Sequence, residues 1–278
     1  MSFTVFFQAS AVAIEWHDAI ELLAMMAGGM TLLGLVTNYL IVHNIKPIGE
    51  LQRDKSRDKA EVERYRKPVR VLHWFLAAAF ITLFATGIGN FASGGGQPAS
   101  GGWLSALHIA AGVIFAAAPV IYLLTNRKES LRGIKHALVW GREDMDWTKA
   151  APLYYFLCDE RAMPPQGYFN TLQKIWLLLL LVFGPIIAVS GIVMWAFENT
   201  ASAELLELAL FAHDIAFISI STMFLVHVYI SVLHPMSGPM ETGAWSAMTR
   251  GKVSAEYAAS HHEKWYQGLP KSKKTGKK

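Results

Sequence analysis

The chain contains a single cysteine, Cys158, among its 278 residues. One thiol cannot form an internal disulfide, and it cannot supply the paired cysteines that iron–sulfur clusters and covalently attached c-type haems require. Charged residues are also scarce, at 17% of the chain, while hydrophobic residues make up 53%. A water-soluble domain rarely combines these two values. The composition therefore excludes an ordinary soluble domain and indicates a polytopic membrane protein.

Basic residues are missing from long parts of the chain, although its net charge is +4. All 25 Lys and Arg residues fall in three stretches, with nine in 46–70, eight in 127–174 and eight in 250–278. Basic residues collect on the cytoplasmic side of membrane proteins, so we expect these stretches to be cytoplasmic. This alternation fits a membrane topology, with lipid as the surrounding partner. Nucleic-acid binding would not need it, and we expect no nucleic-acid partner.

Five apolar runs are long enough to cross a membrane as helices. They cover residues 19–43, 71–93, 103–125, 173–197 and 206–234. The charge pattern places the N-terminus outside and the C-terminus in the cytoplasm. The sequence therefore predicts an all-α protein with five transmembrane helices.

The spans and basic stretches predict four parts in the chain. These are an N-terminal segment with one transmembrane helix (1–45), a basic cytoplasmic linker (46–70), a four-helix bundle (71–234) and a cytoplasmic tail (235–278). Within the bundle, residues 126–171 form a cytoplasmic loop, with one surface helix expected near 130–140. We expect the tail to end in a disordered segment, KSKKTGKK.

Two histidines, His213 and His227, lie in the last apolar run. At about 100° per residue they differ by roughly 40° around a helix, so they share a face. At about 1.5 Å per residue they lie roughly 21 Å apart, which is about two-thirds of the hydrocarbon core. One helix therefore offers an imidazole near each side of the membrane.

Two further histidines match these depths on other helices. His73 lies near the cytoplasmic end of the second span, and His108 lies near the external start of the third. A six-coordinate b-type haem takes two axial imidazoles, which suits electron transfer because no position remains open for a substrate. We therefore predict two b-type haems, a cytoplasmic one on His73 and His227 and an external one on His108 and His213. The alternative is that each histidine is a hydrogen-bonded packing residue or part of a proton path.

Three residues near these histidines are candidate haem contacts. Gly87 lies on nearly the same face as His73, and Gly112 lies one turn after His108, so both could let a flat macrocycle approach the backbone. Arg70 lies one turn before His73, where it could pair with a haem propionate. The alternatives are ordinary helix packing for the glycines and a topology anchor for the arginine.

The six other histidines carry a weaker signal. We expect each to be solvated at an interface or in a loop, with a third haem on two of them, His43 and His234, as an alternative. The six are His17, His43, His136, His234, His261 and His262.

Several motifs appear in an order typical of one family. They are RVLHW (70–74), LHIAAG (107–112), FNTLQK (169–174), SGIVMW (190–195), HDIAF (213–217), VHVYI (226–230) and GKVSAEYAASHHEKWY (251–266). Over about residues 66–267 the chain resembles the cytochrome b (gamma) subunit of membrane-bound respiratory formate dehydrogenases. The first span is additional to that family's four-helix core. The shorter motifs would also fit the cytochrome b subunits of hydrogenases and of thiosulfate or polysulfide reductases.

The resemblance implies a place in an electron-transfer complex of a bacterial cytoplasmic membrane, used in anaerobic respiration. An iron–sulfur subunit and a molybdenum or tungsten catalytic subunit would dock on the external face, so this chain would carry no formate chemistry itself. Electrons would pass from the external haem to the cytoplasmic haem and on to menaquinone or ubiquinone. The implied quinone contacts are Asn170, Gln173 and Lys174, with His227 close by. Leu172 replaces a glycine of the family pattern.

Two functions of other classes remain open from the residues alone. One is a transporter whose histidines carry protons or bind a metal ion. The other is a passive membrane anchor without haem. In the loop, four carboxylates could relay protons to a quinone, although solvated surface charge is the simpler interpretation. They are Glu143, Asp144, Asp146 and Asp159.

Overall fold

The computed structural model describes residues 3–44, 60–94, 102–159, 163–238 and 240–270. Its long helices carry the apolar runs of the sequence. They are α1 (Phe3–Asn44), α2 (Lys67–Gly94), α3 (Trp103–Thr125), α6 (Thr171–Ala196) and α7 (Ala203–Val228). A π-helical turn, Tyr229–Leu233, continues α7.

Five stretches of these helices are long and apolar enough to cross a membrane. They are Leu22–Asn44, Lys67–Asn90, Trp103–Thr125, Thr171–Ala196 and Ala203–Leu233, with mean hydropathies from 1.6 to 2.7. The prediction of a mainly helical membrane protein with five spans is therefore confirmed. Helix α1 begins earlier than the predicted span because the sequence has no glycine or proline before Gly28 to end it.

The segments between the spans hold more secondary structure than the sequence indicated. The loop contains two helices rather than one, α4 (Arg127–Leu138) and α5 (Arg142–Leu157). The tail contains α8 (Ala244–Thr249), α9 (Ala255–His261) and α10 (Glu263–Gln267). The predicted disordered end, 271–278, lies outside the described residues.

A short antiparallel ladder joins the basic linker to the tail. Strand β1 (Glu61–Glu63) pairs with β2 (Lys252–Ser254), and Val62 lies opposite Val253. Both valines are buried. The end of the linker is therefore joined to the tail through these strands, which adds a small β element to the predicted all-α fold.

The chain forms two compact units. The first unit comprises residues 1–33, 76–118 and 179–224, and the second comprises residues 34–75, 119–178 and 225–278. In the first unit phenylalanine rings pack together, with Phe80 4.7 Å from Phe224 and Phe84 5.9 Å from Phe217 between ring centroids.

In the second unit the guanidinium of Arg64 lies over three aromatic rings. Its central carbon is 5.0, 4.6 and 4.3 Å from the ring centroids of Tyr65, Tyr168 and Trp265. Such contacts are each worth about 0.5–2 kcal/mol, depending on how far the cation is desolvated. Arg64 thus links the segment after β1, the segment before α6 and helix α10.

Within the second unit, a buried asparagine near the end of α1 bonds two distant parts of the chain. The Tyr229 hydroxyl donates to Asn38 Oδ1 at 2.5 Å, and Asn38 Nδ2 donates to the carbonyl of Tyr155 at 2.9 Å. Asn38 is only 5% exposed. These two bonds satisfy polar groups that would otherwise be costly inside an apolar environment.

His234 lies beside the same carbonyl, and its surroundings correct two expectations. It is 1% exposed, so the prediction of a solvated side chain was wrong. Its Nε2 donates to the Tyr155 carbonyl at 2.9 Å, and its Nδ1 accepts from the Met236 N–H at 3.1 Å. Both ring nitrogens are thus occupied, which leaves none to bind the iron of a third haem.

Three glycines of α1 have open space beside them. Among the described residues, no atom would lie within 4 Å of a Cβ added at Gly28, Gly29 or Gly34. These three glycines therefore make no close contact with another helix within the part of the chain that the structure describes.

Replacing Asn38 should loosen α1. In Asn38→Ala the buried Tyr229 hydroxyl loses its acceptor and the Tyr155 carbonyl keeps only His234 as a donor, at a cost of about 1–3 kcal/mol. We expect a lower melting temperature of the purified protein in detergent. Asn44→Ala is the control, because Asn44 is exposed and bonds only its own helix at Leu40. Equal melting temperatures for the two variants would contradict this role.

Candidate functional site

His73 on α2 and His227 on α7 face each other in the second unit. Their ring centroids lie 6.3 Å apart, and the ring planes make an angle of 62°. Both side chains are half-buried. The structure thus brings together the two histidines that the sequence placed near the cytoplasmic side.

His108 on α3 and His213 on α7 form a matching pair in the first unit. Their ring centroids lie 6.4 Å apart, with an interplanar angle of 56°. Both are half-buried as well. The two histidines that the sequence placed near the external side therefore also lie together.

The ring separation in each pair fits one metal ion between two imidazoles. Metal–imidazole bonds of roughly 2 Å place two opposing nitrogens about 4 Å apart. Each ring centroid stands a little farther back than its nitrogen, which agrees with the observed 6.3 and 6.4 Å. Among the described residues, no group of three or more His, Cys, Asp or Glu side chains converges as a metal site. Two imidazoles at this spacing could hold a metal ion that belongs to a bound cofactor, as the iron of a haem does.

Hydroxyl groups support the rings of the His108–His213 pair. Thr86 Oγ1 lies 2.8 Å from His108 Nδ1, and Ser190 Oγ lies 3.1 Å from His213 Nδ1. Both hydroxyl residues are buried. The sequence analysis missed them, although a hydroxyl one residue before a glycine recurs in Thr86-Gly87 and Ser190-Gly191.

The glycines near this pair lie close to the imidazoles. A Cβ on Gly87 would lie 3.5 Å from His108 Cε1, and one on Gly191 would lie 3.4 Å from His213 Cε1. Gly112 is different, since its nearest neighbour would be the Leu83 side chain at 3.8 Å. Gly87 therefore lies against a ligand candidate, as does Gly191, which the sequence analysis did not select.

The His73–His227 pair has different surroundings. His73 Nδ1 is buried and has no hydrogen-bond partner, while His227 Nδ1 has only a long contact of 3.4 Å with Ser231 Oγ. The ring of Trp176 stacks on His227 at 5.5 Å with an angle of 13°. This pair is therefore held by ring packing more than by hydrogen bonds.

Arg70 lies one turn before His73 and is anchored to the tail. Its Nη1 donates to the Thr249 carbonyl at 2.5 Å. Its Nε is buried without a partner. It packs against Gly251, whose φ of +83° and lack of a side chain allow the close approach. The unpartnered Nε could donate to a carboxylate, as the predicted pairing of Arg70 with a haem propionate requires.

The candidate quinone residues Asn170 and Gln173 cap the start of α6. The Asn170 N–H donates to Gln173 Oε1 at 3.1 Å, and the Gln173 N–H donates to Asn170 Oδ1 at 2.9 Å. This reciprocal arrangement is a capping box, which satisfies helix N–H groups that lack intrahelical partners. Both side-chain oxygens are thereby used, and the side-chain amide N–H groups remain as donors.

Lys174 lies next to them in a buried ion pair. Its Nζ is 2.7 and 2.8 Å from the two carboxylate oxygens of Asp144, and it also donates to the Val139 carbonyl at 2.9 Å. The Asp144 carboxylate further accepts from the Thr171 hydroxyl and the Gly141 N–H. Lys174 therefore fixes the loop to the start of α6.

The ion pair lines a cavity of about 230 Å³. Its wall also includes His136, Trp140, Tyr168 and Lys264. Neither Asn170 nor Gln173 lines it. Of the predicted quinone contacts, only Lys174 therefore reaches this cavity.

The loop carboxylates do not share one environment. Asp144 is 4% exposed, so the interpretation as solvated surface charge was wrong for it. Burial alone would raise the pKa of its carboxyl, but hydrogen bonds from Lys174, the Gly141 N–H and Thr171 lower it, and the net shift is downward. A carboxylate held ionised in this way is a poor proton relay.

Two of the other loop carboxylates, Asp146 and Glu143, form ion pairs at the surface. Asp146 is 44% exposed and pairs loosely with Arg142 and Lys149. Glu143 pairs with Lys264 while half of each side chain remains exposed, and hydrogen bonding by Lys264 lowers the pKa of Glu143. For these two residues the surface-charge interpretation holds.

His262 was also predicted to be solvated, and this was wrong. It is 3% exposed and its Nδ1 donates to the Gly167 carbonyl at 3.0 Å. Burial, together with the charge of Arg64, lowers the pKa of His262 well below its ordinary value. A neutral His262 thus helps to join the tail to the segment before α6.

Comparison with known proteins extends these observations. The family model described as prokaryotic cytochrome b561 matches residues 64–251, which include all four paired histidines. The cytochrome b556(fdo) subunit of formate dehydrogenase from Escherichia coli (strain K12) is 26% identical over 224 residues, covering 78% of this chain and 97% of the relative. The cytochrome b556 subunit of formate dehydrogenase from Haemophilus influenzae is 25% identical over 216 residues, covering 73% and 82%.

Breaking the buried ion pair should destabilise the second unit. Asp144→Asn leaves Lys174 buried without its counter-charge, at a cost of about 3–5 kcal/mol. We expect a marked fall in melting temperature, partly restored in the double variant Asp144→Asn/Lys174→Met. Asp146→Asn is the control, since its exposed pairs are worth about 0–1 kcal/mol.

The same pair sets a dependence on pH. Because the folded-state pKa of Asp144 is lowered, its contribution is fully present above the unfolded value of about 3.9 and is lost as the pH falls through the folded value. The difference in melting temperature between wild type and Asp144→Asn should therefore stay constant from pH 7 down to about pH 4 and shrink as the pH is lowered further towards about pH 2. A difference that does not shrink in this lower range would contradict the assignment.

Proposed function

Because the chain belongs to the prokaryotic cytochrome b561 family, which implies b-type haem, we propose that it holds two such haems and conducts electrons across a membrane to a quinone. One observation carries this proposal. Each unit contains a pair of histidines from different helices at the ring separation that suits one metal ion.

The residues around each pair would hold and insulate a haem. The four histidines would hold the two haem irons through imidazole nitrogens, which would suit electron transfer rather than chemistry on a substrate. Arg70 would bind a propionate through its unpartnered Nε. When bound, haem supplies one-electron chemistry, and the apolar helices keep water from the site.

The direction across the membrane follows from the charge distribution. The three basic stretches support an arrangement in a bacterial cytoplasmic membrane with the His73–His227 pair near the cytoplasm, the His108–His213 pair near the outside and the N-terminus external. Electrons would enter at the external pair and leave at the cytoplasmic pair. Two centres are needed because one cannot bridge a core of about 30 Å.

The external electron donor is proposed from the relatives. These are cytochrome subunits of formate dehydrogenases, which supports a formate dehydrogenase-type complex over a hydrogenase or a thiosulfate reductase. An iron–sulfur subunit would deliver electrons from a molybdenum or tungsten catalytic subunit on the external face. The chain itself would act as the electron-transfer and quinone-reducing subunit.

The quinone would be reduced near the start of α6. The amide N–H groups of Asn170 and Gln173 can donate to a quinone carbonyl oxygen and stabilise the negative charge that develops on it. Their oxygens are already fixed by the capping box, so the donors are held in place. Lys174 would contribute its positive charge beside them, with His227 as the nearby haem ligand.

Each histidine pair should account for about half of the bound haem. We expect His108→Ala or His213→Ala to remove about half of the b-type reduced-minus-oxidised absorbance, because one haem loses an axial ligand. His73→Ala or His227→Ala should remove the other half. His43→Ala is the control, since His43 is exposed.

A second readout links these variants to function. His213→Ala should also block electron transfer from an external donor to quinone. Wild-type protein without a b-type α band would contradict the proposal and favour a transporter or a passive anchor.

An isosteric variant separates the capping role of Asn170 from the quinone role. Asn170→Asp keeps an oxygen for the Gln173 N–H but loses the amide donors, so we expect unchanged melting temperature and a higher KM for a water-soluble quinone. Asn170→Ala should lose both stability, by about 1 kcal/mol, and quinone affinity. An unchanged KM in Asn170→Asp would show that Asn170 only caps the helix.

A further inference from the structure

Two hydroxyl groups in the first unit each contact one imidazole of the same histidine pair. Thr86 on α2 reaches His108 on α3, and Ser190 on α6 reaches His213 on α7, both at Nδ1 and at 2.8 and 3.1 Å. The same contact therefore occurs twice, each time between a hydroxyl on one transmembrane helix and a histidine on the transmembrane helix that follows it in the chain.

The direction of these hydrogen bonds follows from the helix backbone. Thr86 Oγ1 donates to the Thr82 carbonyl at 2.7 Å, and Ser190 Oγ donates to the Ile186 carbonyl at 2.7 Å. A hydroxyl has one hydrogen, so in each case its oxygen accepts from the histidine Nδ1–H. Each ring is thereby fixed as the tautomer whose Nε2 carries the free lone pair.

The residue that follows each hydroxyl is a glycine against the same ring. Gly87 and Gly191 lie beside Cε1 of His108 and His213, respectively. The hydroxyl and the glycine thus fix both the tautomer and the position of each imidazole. The other pair differs among the described residues: His73 Nδ1 is buried without a partner, and the only hydroxyl near His227 Nδ1 is that of Ser231 on the same helix segment, at a longer distance of 3.4 Å.

We propose that Thr86 and Ser190 are positioning residues that keep the reduction potential of the haem at His108–His213 below that of the haem at His73–His227. The inference rests on the two haems of the proposed function. A hydrogen bond from Nδ1–H makes Nε2 a stronger electron donor, which favours oxidised over reduced iron. The difference in potential would then drive electrons from the external pair to the cytoplasmic pair.

The test is an optical redox titration of the full chain in membranes. In Thr86→Val and in Ser190→Ala we expect one of the two haem transitions to move to higher potential while the other stays. Loss of such a partner typically changes metal affinity by tenfold or more, and a tenfold change in preference for oxidised haem equals about 59 mV. Thr86→Ser should restore the wild-type potential.

Two controls have the same chemistry away from the histidines. Thr82 and Ser219 also donate their hydroxyls to carbonyls four residues earlier, at Ala78 and Ile215. Thr82→Val and Ser219→Ala should therefore leave both potentials unchanged. The haem transition that shifts in Thr86→Val and Ser190→Ala should be the same transition that is lost in His108→Ala.

The outcomes separate the two proposals. Two haems whose potentials are unchanged in Thr86→Val and Ser190→Ala would overturn the inference and leave the proposed function intact. Equal shifts of both transitions would also overturn it. A wild-type chain without haem would overturn both. If Thr86→Val fails to retain haem, Ser190→Ala and Thr86→Ser carry the test.

Discussion

An imidazole on an apolar membrane helix has two ring nitrogens, and each needs a partner because lipid offers none. At His108 and His213 a neighbouring hydroxyl takes one nitrogen. The other nitrogen, Nε2, keeps a free lone pair that can bind a metal ion. The surroundings of this pair follow from that constraint, since Gly87 and Gly191 leave room for the rings beside the hydroxyls. The second pair, His73–His227, lies in the second unit and is held by ring packing instead.

The histidine pairing could be predicted from the sequence because two regular quantities govern it. The helix rise converts residue number into depth, and the basic stretches group the ends of the spans into two opposite sides. Thr86 and Ser190 could not be found in this way. A hydroxyl that bonds its own helix backbone looks the same in sequence whether or not a histidine lies beside it, as Thr82 and Ser219 show.

The segments outside the spans were harder to predict because their burial depends on contacts between distant residues. Asp144 is buried by Lys174, thirty positions away, and His262 by the Gly167 region, ninety-five positions away. Likewise β1 needs β2 from the tail. Polarity alone indicates solvent exposure for such residues. The structure instead shows that residues 60–66 of the linker, the described part of the loop and residues 240–270 of the tail fold together in the second unit, where the predicted quinone contacts also lie.

Haem quantitation on the purified wild-type chain tests the central claim most directly. Two histidine pairs with ring separations of 6.3 and 6.4 Å predict two b-type haems per chain. The measured ratio, with protein determined by amino-acid analysis, should therefore be close to two. A ratio of one would show that one pair is only a packing contact, and a ratio of zero would contradict electron conduction by this chain.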